Sequence, residues 1–320
     1  MTHPYRIVAR ILRATLRVDS TLCPPWPRAL GAFGLVALLV VLFGGCGDNF
    51  DPKSKVNKLR ILAIKAENPR LSAGEFTTFE ALVVTADDGP VDLLWEFCPF
   101  TGGAEGRFPC VYPEGTPQEL ITMLQGHSET FAFAYVPELQ ALVDLFCEQQ
   151  AQLASELPPG IPLPNCDQGY PARVRLTATE VETGAVVEAV KTLQLVPSSG
   201  GVQDNANPAV VQLVPGEDAP EFATKGEAFP LRCELDPTSL ESFVRVDQTE
   251  VRKEELLISW FVRNGKLEKD LTFYSEDEDL TKEPQENKVT PSESGVTTVW
   301  CVVRDGRGGT DWTHLDVVSN

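Results

Sequence analysis

Three stretches in the last third of the chain decide its fold: Gly226-Glu-Ala-Phe-Pro-Leu-Arg-Cys233, Ile258-Ser-Trp-Phe-Val-Arg-Asn-Gly265 and Val299-Trp-Cys-Val-Val-Arg-Asp-Gly306. Each holds a short run rich in Phe, Val, Leu or Trp that turn-forming residues border, which is the pattern of a β-strand. Similar runs lie at 209–214 and 312–318, and no long amphipathic helix interrupts the set. The pattern predicts an all-β sandwich.

The order Cys233, Trp260, Cys301 resembles that of the immunoglobulin (Ig) fold. The resemblance covers residues 209–320 and implies that Cys233 and Cys301 bridge two sheets, with Trp260 packed on the bridge. A disulfide that closes a loop of this length contributes about 4 kcal/mol in the chain-entropy model. Val299 stands where the family's corner tyrosine would be, so we expect a looser bacterial Ig-like or PKD-like sandwich rather than a constant-type domain.

A second set of strand-like runs precedes this one and predicts another sandwich over residues 59–196. The runs lie at 59–66, 77–85, 91–98, 131–136, 173–180 and 186–196. Trp95 lies on the third run, as Trp260 does in the later set, so we predict two related Ig-like sandwiches in tandem. Residues 197–208 are rich in Pro, Ser, Gly and Asn and predict a flexible linker. Residues 46–58 predict a short tether before the first strand.

The first sandwich is predicted to carry an insertion over about residues 99–170. Apolar residues recur at a near-helical spacing from Glu138 to Leu157, and Pro158 and Pro159 end that pattern. The insertion is therefore expected to contain one helix and a proline-rich return.

Six cysteines remain when Cys23, in the predicted signal peptide, and Cys46, the predicted acylation site, are excluded. An even number of cysteines in an exported protein predicts disulfides. Beside Cys233 and Cys301, we favour a pair that staples the helix to its return and a pair across a glycine loop. These pairs are Cys147 with Cys166 and Cys98 with Cys110. Four cysteines allow three connectivities, so the other two stay open.

The N-terminal region is predicted to be a signal peptide over residues 1–45. Five arginines face one acid, and an apolar run follows at 29–43. A helix of about 15 residues is roughly 22 Å long, which is short of a hydrocarbon core of roughly 30 Å. The run therefore favours a signal sequence over a membrane span.

The end of this region, Leu42-Phe-Gly-Gly-Cys46, resembles the lipobox of bacterial lipoproteins. The resemblance implies cleavage before Cys46 and acylation of its thiol, although Phe43 stands where leucine is commonest. We expect a lipid anchor in the cell envelope, in the outer membrane in preference to the inner, with the protein facing the periplasm or the exterior. An uncleaved anchor and ordinary cleavage with a free Cys46 thiol are the alternatives.

The charge of the chain limits its partners. Removal of residues 1–45 takes away five arginines and one aspartate, so the net charge falls from −19 to −23. Such a chain repels phosphate backbones, so we expect no nucleic-acid partner. Contact with the bilayer is expected through the acyl chains on Cys46.

Motifs for catalysis are missing from the sequence, and we expect neither enzymatic activity nor a cofactor. His127 and His314 are the two histidines after residue 45, and they lie in different predicted domains. Ser128 lacks the closing glycine of a nucleophile elbow. No phosphate-binding glycine loop and no zinc-binding H-E-x-x-H motif occurs.

Two weak ligand signals remain. The acidic run Glu276, Asp277, Glu278 and Asp279, with Glu283 and Glu286 beyond it, offers oxygen ligands for calcium but does not match an EF-hand. We expect a solvated polar segment between strands there. The aromatics Phe273, Tyr274 and Trp312 could form a platform for a sugar or peptide, although strand aromatics are more often core residues.

The segments 59–69 and 205–208 together resemble bacterial surface lipoproteins built from Ig-like domains. We therefore expect a non-enzymatic role in adhesion, scaffolding or assembly, with a protein or glycan partner at the envelope and contact through the sheet edges. A glycan- or calcium-binding module is the alternative, and an envelope hydrolase is the weakest hypothesis.

Overall fold

The fold class predicted from the sequence is confirmed: two Ig-like β-sandwiches follow one another, and a disulfide-stapled helical insertion interrupts the first. The computed structural model describes residues 52–101, 108–112, 118–156, 166, 169–199, 204–244, 250–275, 280 and 285–320. The predicted signal peptide and Cys46 lie outside these residues.

The first sandwich has a three-stranded sheet facing a five-stranded sheet. Its strands are β1 (Arg60–Ala66), β2 (Arg70–Leu71), β3 (Phe76–Val84), β4 (Val91–Cys98), β5 (Phe100–Thr101), β6 (Cys110–Val111), β7 (Gln125–Gly126), β8 (Thr130–Ala134), β9 (Tyr170–Glu180) and β10 (Val186–Leu195). Its helices are α1 (Gln118–Met123) and α2 (Pro137–Glu156). The sheet orders are β1-β3-β8 and β2-β10-β9-β4-β7, while β5 and β6 pair with each other.

Aromatic residues hold the two sheets of the first sandwich together. Phe79 of β3, Trp95 of β4 and Phe131 of β8 have ring centroids 6.1–6.3 Å apart. Trp95 lies opposite Leu176 of β9, and both are fully buried. Strict alternation of buried and half-buried residues along β9 shows why this run forms a strand with one face in the core.

The insertion packs on the edge of this core. Helix α2 buries Val143, and Leu139 and Phe146 pack against the same cluster. Cys147 on the helix is joined to Cys166, with their Cα atoms 5.8 Å apart. The disulfide thus ties the helix to the chain that returns toward β9.

The second sandwich pairs two four-stranded sheets. Its strands are β11 (Val210–Pro215), β12 (Phe229–Leu235), β13 (Ser242–Val244), β14 (Val251–Lys253), β15 (Leu256–Arg263), β16 (Gly265–Leu267), β17 (Leu271–Tyr274), β18 (Gln285–Pro291), β19 (Gly295–Arg304) and β20 (Thr310–Ser319). The orders are β11-β12-β18-β16 and β17-β15-β19-β20, and β13 pairs with β14. A 3-10 turn spans Pro237–Ser239.

A disulfide and a tryptophan form the centre of the second core. Cys233 on β12 is bonded to Cys301 on β19, so the bridge links the two sheets. Trp260 lies opposite Cys301 on the neighbouring strand and is 1% exposed. Its Nε1 donates a hydrogen bond to Thr272 Oγ1 at 3.0 Å, which satisfies the ring's polar group inside the core.

One segment differs from its predicted structure. Glu286 was expected in a polar stretch between strands, but it lies on β18. The strand forms because alternate residues point inward: Asn287 and Val289 are buried. Asn287 accepts a hydrogen bond from the backbone N–H of Lys269 and donates one to its carbonyl. Its amide group therefore has hydrogen-bond partners, and a polar side chain can be buried on this strand.

Within the described residues, no helix combines the length and the apolar character that crossing a membrane requires.

Candidate functional site at the joint between the sandwiches

The outer faces of two sheets meet in a buried apolar cluster, which we call the joint. Strands β1 and β3 of the first sandwich contribute one side, β19 of the second contributes the other, and Val56 from the segment before β1 completes the cluster. The members are Val56, Leu62, Ala63, Val84, Trp300 and Val302. Trp300 is 5% exposed and Val302 is fully buried, although both point away from the core of their own sandwich.

Polar contacts surround the joint. Lys65 Nζ lies 2.8 Å from Asp311 Oδ1 and forms an ion pair between the sandwiches. Arg304 Nη2 donates a hydrogen bond of 2.7 Å to the carbonyl of Leu62. These contacts fix the register of the two sheets around the apolar cluster.

Two chain segments that were expected to be free are bound at the joint. The backbone of Val262 donates to the carbonyl of Ser54 and accepts from the N–H of Val56, each at 2.8 Å, so the end of the predicted tether lies along β15. At the end of the predicted linker, Asn207 Nδ2 donates to the carbonyl of Ala66, and Asn207 Oδ1 accepts from the N–H of Thr310. The linker therefore bonds to both sandwiches.

The turn between β19 and β20 is organised around one carboxylate. Asp305 accepts hydrogen bonds from the backbone N–H groups of Arg307, Gly308 and Gly309 at 2.7–2.9 Å, and from Asn205 Nδ2 at 3.0 Å. Gly308 has a φ of 119°, which an L side chain rarely adopts. A side chain at position 309 would overlap Asp305, so glycine is required at that close approach.

A buried ion pair follows this turn. Arg307 Nη1 lies 2.6 Å from Glu254 Oε1, and Arg307 Nη2 donates to the carbonyl of Asp204. Its guanidinium also lies 4.9 Å from the ring centroid of Phe243. Glu254 is 2% exposed, and burial raises its pKa to about 7 even though Arg307 opposes the shift.

A cleft of about 360 Å³ lies beside the joint. Its walls are residues 61–64 of β1, residues 189–192 of β10, Arg304, and the glycine turn with Thr310. Lys191 Nζ donates a 2.8 Å hydrogen bond to Thr310 Oγ1. Burial lowers the pKa of Lys191 to about 8; Asp305 opposes this shift and Arg304 adds to it. The arrangement places two cationic side chains beside two strand edges.

The aromatic platform that the sequence left open as the weaker alternative does not form. Tyr274 is fully buried in the core of the second sandwich, while Phe273 is 65% exposed. Trp312 is half-buried and packs against the joint. The three rings therefore do not share one exposed surface.

The remaining residues singled out in the sequence are the disulfide cysteines, the acidic run, and His127 with Ser128. Cys98 is bonded to Cys110, with Cα atoms 4.9 Å apart, and the three disulfides include all six cysteines named above. The acidic run 276–279 lies outside the described residues. His127 and Ser128 are exposed, and Ser128 contributes its carbonyl as the acceptor for Trp95 Nε1. Across the described part of the chain, no group of three or more His, Cys, Asp or Glu residues could hold a metal.

The joint was not predicted, although the sequence carries a signal for it. The run Val299-Trp-Cys-Val-Val303 is apolar at every position, whereas a strand with one solvated face alternates. The run Ile61-Leu-Ala-Ile64 has the same character. Continuous apolar runs in an antiparallel sheet indicate that both faces are buried.

Comparisons with known proteins give no family. No family model matches the chain, and no curated protein matches it. Among solved structures, the chain is similar to the three N-terminal domains of the bacteriophage RB49 highly immunogenic outer capsid protein (Hoc). That match has 10% identity, 82% of this chain and 59% of that chain covered, and a TM-score of 0.22.

Two further solved structures show comparable likeness. For the N-terminal Ig1-2 module of the Drosophila receptor protein tyrosine phosphatase DLAR, identity is 12%, coverage is 82% of this chain and 100% of that chain, and the TM-score is 0.24. For red sea bream transglutaminase, identity is 11%, coverage is 83% and 32%, and the TM-score is 0.25. At these TM-scores the likenesses carry no argument about function.

Proposed function

We propose that this chain is a non-enzymatic lipoprotein of the cell envelope, in which two fused Ig-like sandwiches form an adhesion or scaffolding module and acylated Cys46 holds it to a bilayer. The Ig-like fold fits such a module. The anchor rests on the lipobox resemblance at residues 42–46.

The observation that carries the proposal is the joint. Trp300 and Val302 are buried on the outer face of their sheet, and the predicted linker bonds to both sandwiches through Asn207. Sandwiches joined in this way present their surfaces in one fixed arrangement. A fixed arrangement suits a protein that positions a partner, because little conformational entropy is lost on binding.

The disulfides support the proposed compartment. Three bridges lie within the described residues, one of them across the core of the second sandwich. Disulfides of this structural kind persist outside the cytoplasm, in the periplasm or the extracellular space. The strong negative charge of the chain is consistent with solubility there and disfavours nucleic-acid partners.

The first experiment is the intact mass of the membrane-extracted protein, measured with and without reduction. We expect a mass that corresponds to cleavage before Cys46 plus two or three acyl chains, and a gain of six hydrogens when the three disulfides are reduced. Cys46→Ser should abolish acylation and release the protein from membranes. Cys23→Ser is the matched control, because Cys23 lies in the segment that cleavage removes.

Two outcomes would contradict this proposal. An unprocessed mass would show that residues 29–43 act as an uncleaved anchor. Turnover of an envelope polymer that one Asp or Glu substitution abolishes would show that the protein is a hydrolase.

A further inference from the structure

Among the residues that the structure describes, strand β10 has no ladder partner along most of one edge. It pairs with β9 over all ten residues, but its other neighbour, β2, covers Gln194 and Leu195 alone. The N–H of Gln194 donates to the carbonyl of Pro69, so the backbone of residue 194 points away from β9. Because this direction alternates along a strand, the N–H and C=O groups of Val190 and Thr192 point to the same open side.

The facing edge of β1 is partly capped. Its outward carbonyls at Leu62 and Ala66 accept hydrogen bonds from Arg304 and Asn207. Ile64, between them, has the same outward direction, and no described residue bonds to its backbone on that side. Since Ile64, Val190 and Thr192 all line the cleft, unpaired backbone groups face its interior from two sides.

The side chains in the cleft supply positive charge with spare donors. Among the described residues, Lys191 Nζ donates to Thr310 Oγ1 alone. Two of its three N–H groups therefore remain available to a ligand. Arg304 uses its two terminal nitrogens once each, on Leu62 and on Ser259. Asp305, the nearby anion, is already occupied by three backbone N–H groups and Asn205.

The charges leave the cleft with a local excess of one positive charge. Lys191 and Arg304 contribute two positive charges, Asp305 contributes one negative charge, and the Lys65–Asp311 ion pair is neutral. This local excess is complementary to a monoanion, in contrast to the net negative charge of the chain. The volume of about 360 Å³ is at the small end of binding sites, which suits a short segment rather than a folded domain.

We propose that this cleft binds an extended peptide segment of a partner protein, which adds as a strand to the open edge of β10 and places one carboxylate between Lys191 and Arg304. Main-chain hydrogen bonds to Val190 and Thr192 provide affinity, and the two cations select an acidic group. The inference names the partner class for the proposed scaffold, and in that respect it rests on the proposed function.

The carboxylate has two possible sources, an acidic side chain or a C-terminus. The test uses three N-acetylated hexapeptides of alternating Thr and Val: one with a free C-terminal carboxylate, one with a C-terminal amide, and one with the amide and a central Asp. Binding to the detergent-extracted, full processed protein is measured by titration calorimetry. We expect at least one carboxylate-bearing peptide to bind tenfold or more tightly than the neutral peptide, and the stronger one identifies the source.

Two variants test the residues of the cleft. Lys191→Met should weaken the best peptide by tenfold or more, because it removes the amino group and keeps the apolar stem. Lys266→Met is the matched control, since Lys266 is exposed on β16 and should leave binding unchanged. Thr192→Pro should also abolish binding, because it removes an outward N–H and leaves the ladder with β9 intact.

Equal binding of the neutral and the carboxylate-bearing peptides would overturn the inference, and so would full binding by Lys191→Met. Absence of binding by all three peptides at millimolar concentration would overturn it as well. These readouts are independent of the anchor, since the Cys46→Ser protein should bind the peptides as the wild type does. Failure of the lipidation test would therefore leave a positive peptide result intact.

Discussion

At the scale of single residues, burial of a charged group makes the stability of the fold depend on pH. Glu254 shows the effect most clearly: it is 2% exposed, and its pKa is raised to about 7 from 4.5. A raised carboxyl pKa means that the folded state prefers the neutral form. The stability that this group contributes is full below pH 4.5 and is lost as the pH rises through about 7.

We predict that Glu254→Gln removes this pH dependence. The free energy of unfolding of the wild type relative to the variant should fall by roughly 3 kcal/mol between pH 4.5 and pH 8, which corresponds to the shift in the pKa. Urea unfolding at a series of pH values measures it. Glu255→Gln is the control, because Glu255 is the exposed neighbour of Glu254 in the chain. A constant difference for Glu254→Gln would contradict the raised pKa.

A second prediction concerns the glycine turn. Gly309→Ala should lower the free energy of unfolding by roughly 2–3 kcal/mol, because its Cβ would overlap Asp305 and come within 2.8 Å of the carbonyl of Ala206. Gly226→Ala is the comparison: it has a φ of 79° and open space around it, so the cost is backbone strain of roughly 1 kcal/mol. Equal losses in thermal unfolding would show that crowding at Gly309 has no effect.

At the scale of elements, the sequence predicts best the strands that have one face in a core. The run at 91–98 coincides with β4, and the predicted helix at 138–157 is α2 within one residue at each end. The alternation of apolar and polar residues and the prolines after the helix are strong local signals. Both sandwiches could therefore be predicted without any long-range information.

Elements with weaker local signals were missed. Strand β18 is polar in composition, and its inward Asn287 is buried because the backbone of Lys269 satisfies its amide. The joint was missed because it depends on which outer faces meet, which local patterns do not determine. Trp312 illustrates this: its strand was predicted, but its contact with the joint comes from the other sandwich.

The disulfides give a prediction at the scale of elements. In the chain-entropy model, loss of Cys233–Cys301, with a separation of 68 residues, costs about 4 kcal/mol, and loss of Cys147–Cys166, with a separation of 19, costs about 3 kcal/mol. We expect double Ala variants, compared by urea unfolding, to lose stability in that order. The opposite order would mean that packing around Trp260 compensates for the lost bridge in the second core.

At the scale of the whole molecule, residues 51–320 form one compact unit, in which the joint connects two cores. Interfaces between domains of one chain are often small and polar, which permits relative motion. This joint is instead a buried apolar cluster that includes Trp300 and Val302, and the Lys65–Asp311 ion pair lies beside it. We therefore predict that both sandwiches unfold in a single calorimetric transition.

The joint can be weakened without disturbing either core. Val302→Ser should lower the free energy of unfolding by roughly 2–4 kcal/mol and split the transition in two, because it places a hydroxyl and a cavity between the sandwiches. Leu257→Ser is the matched control: Leu257 is on the same outer face but 42% exposed, so its cost should stay within about 0.5 kcal/mol. Two transitions in the wild type would show that the sandwiches unfold independently and would remove the basis for a fixed arrangement of their surfaces.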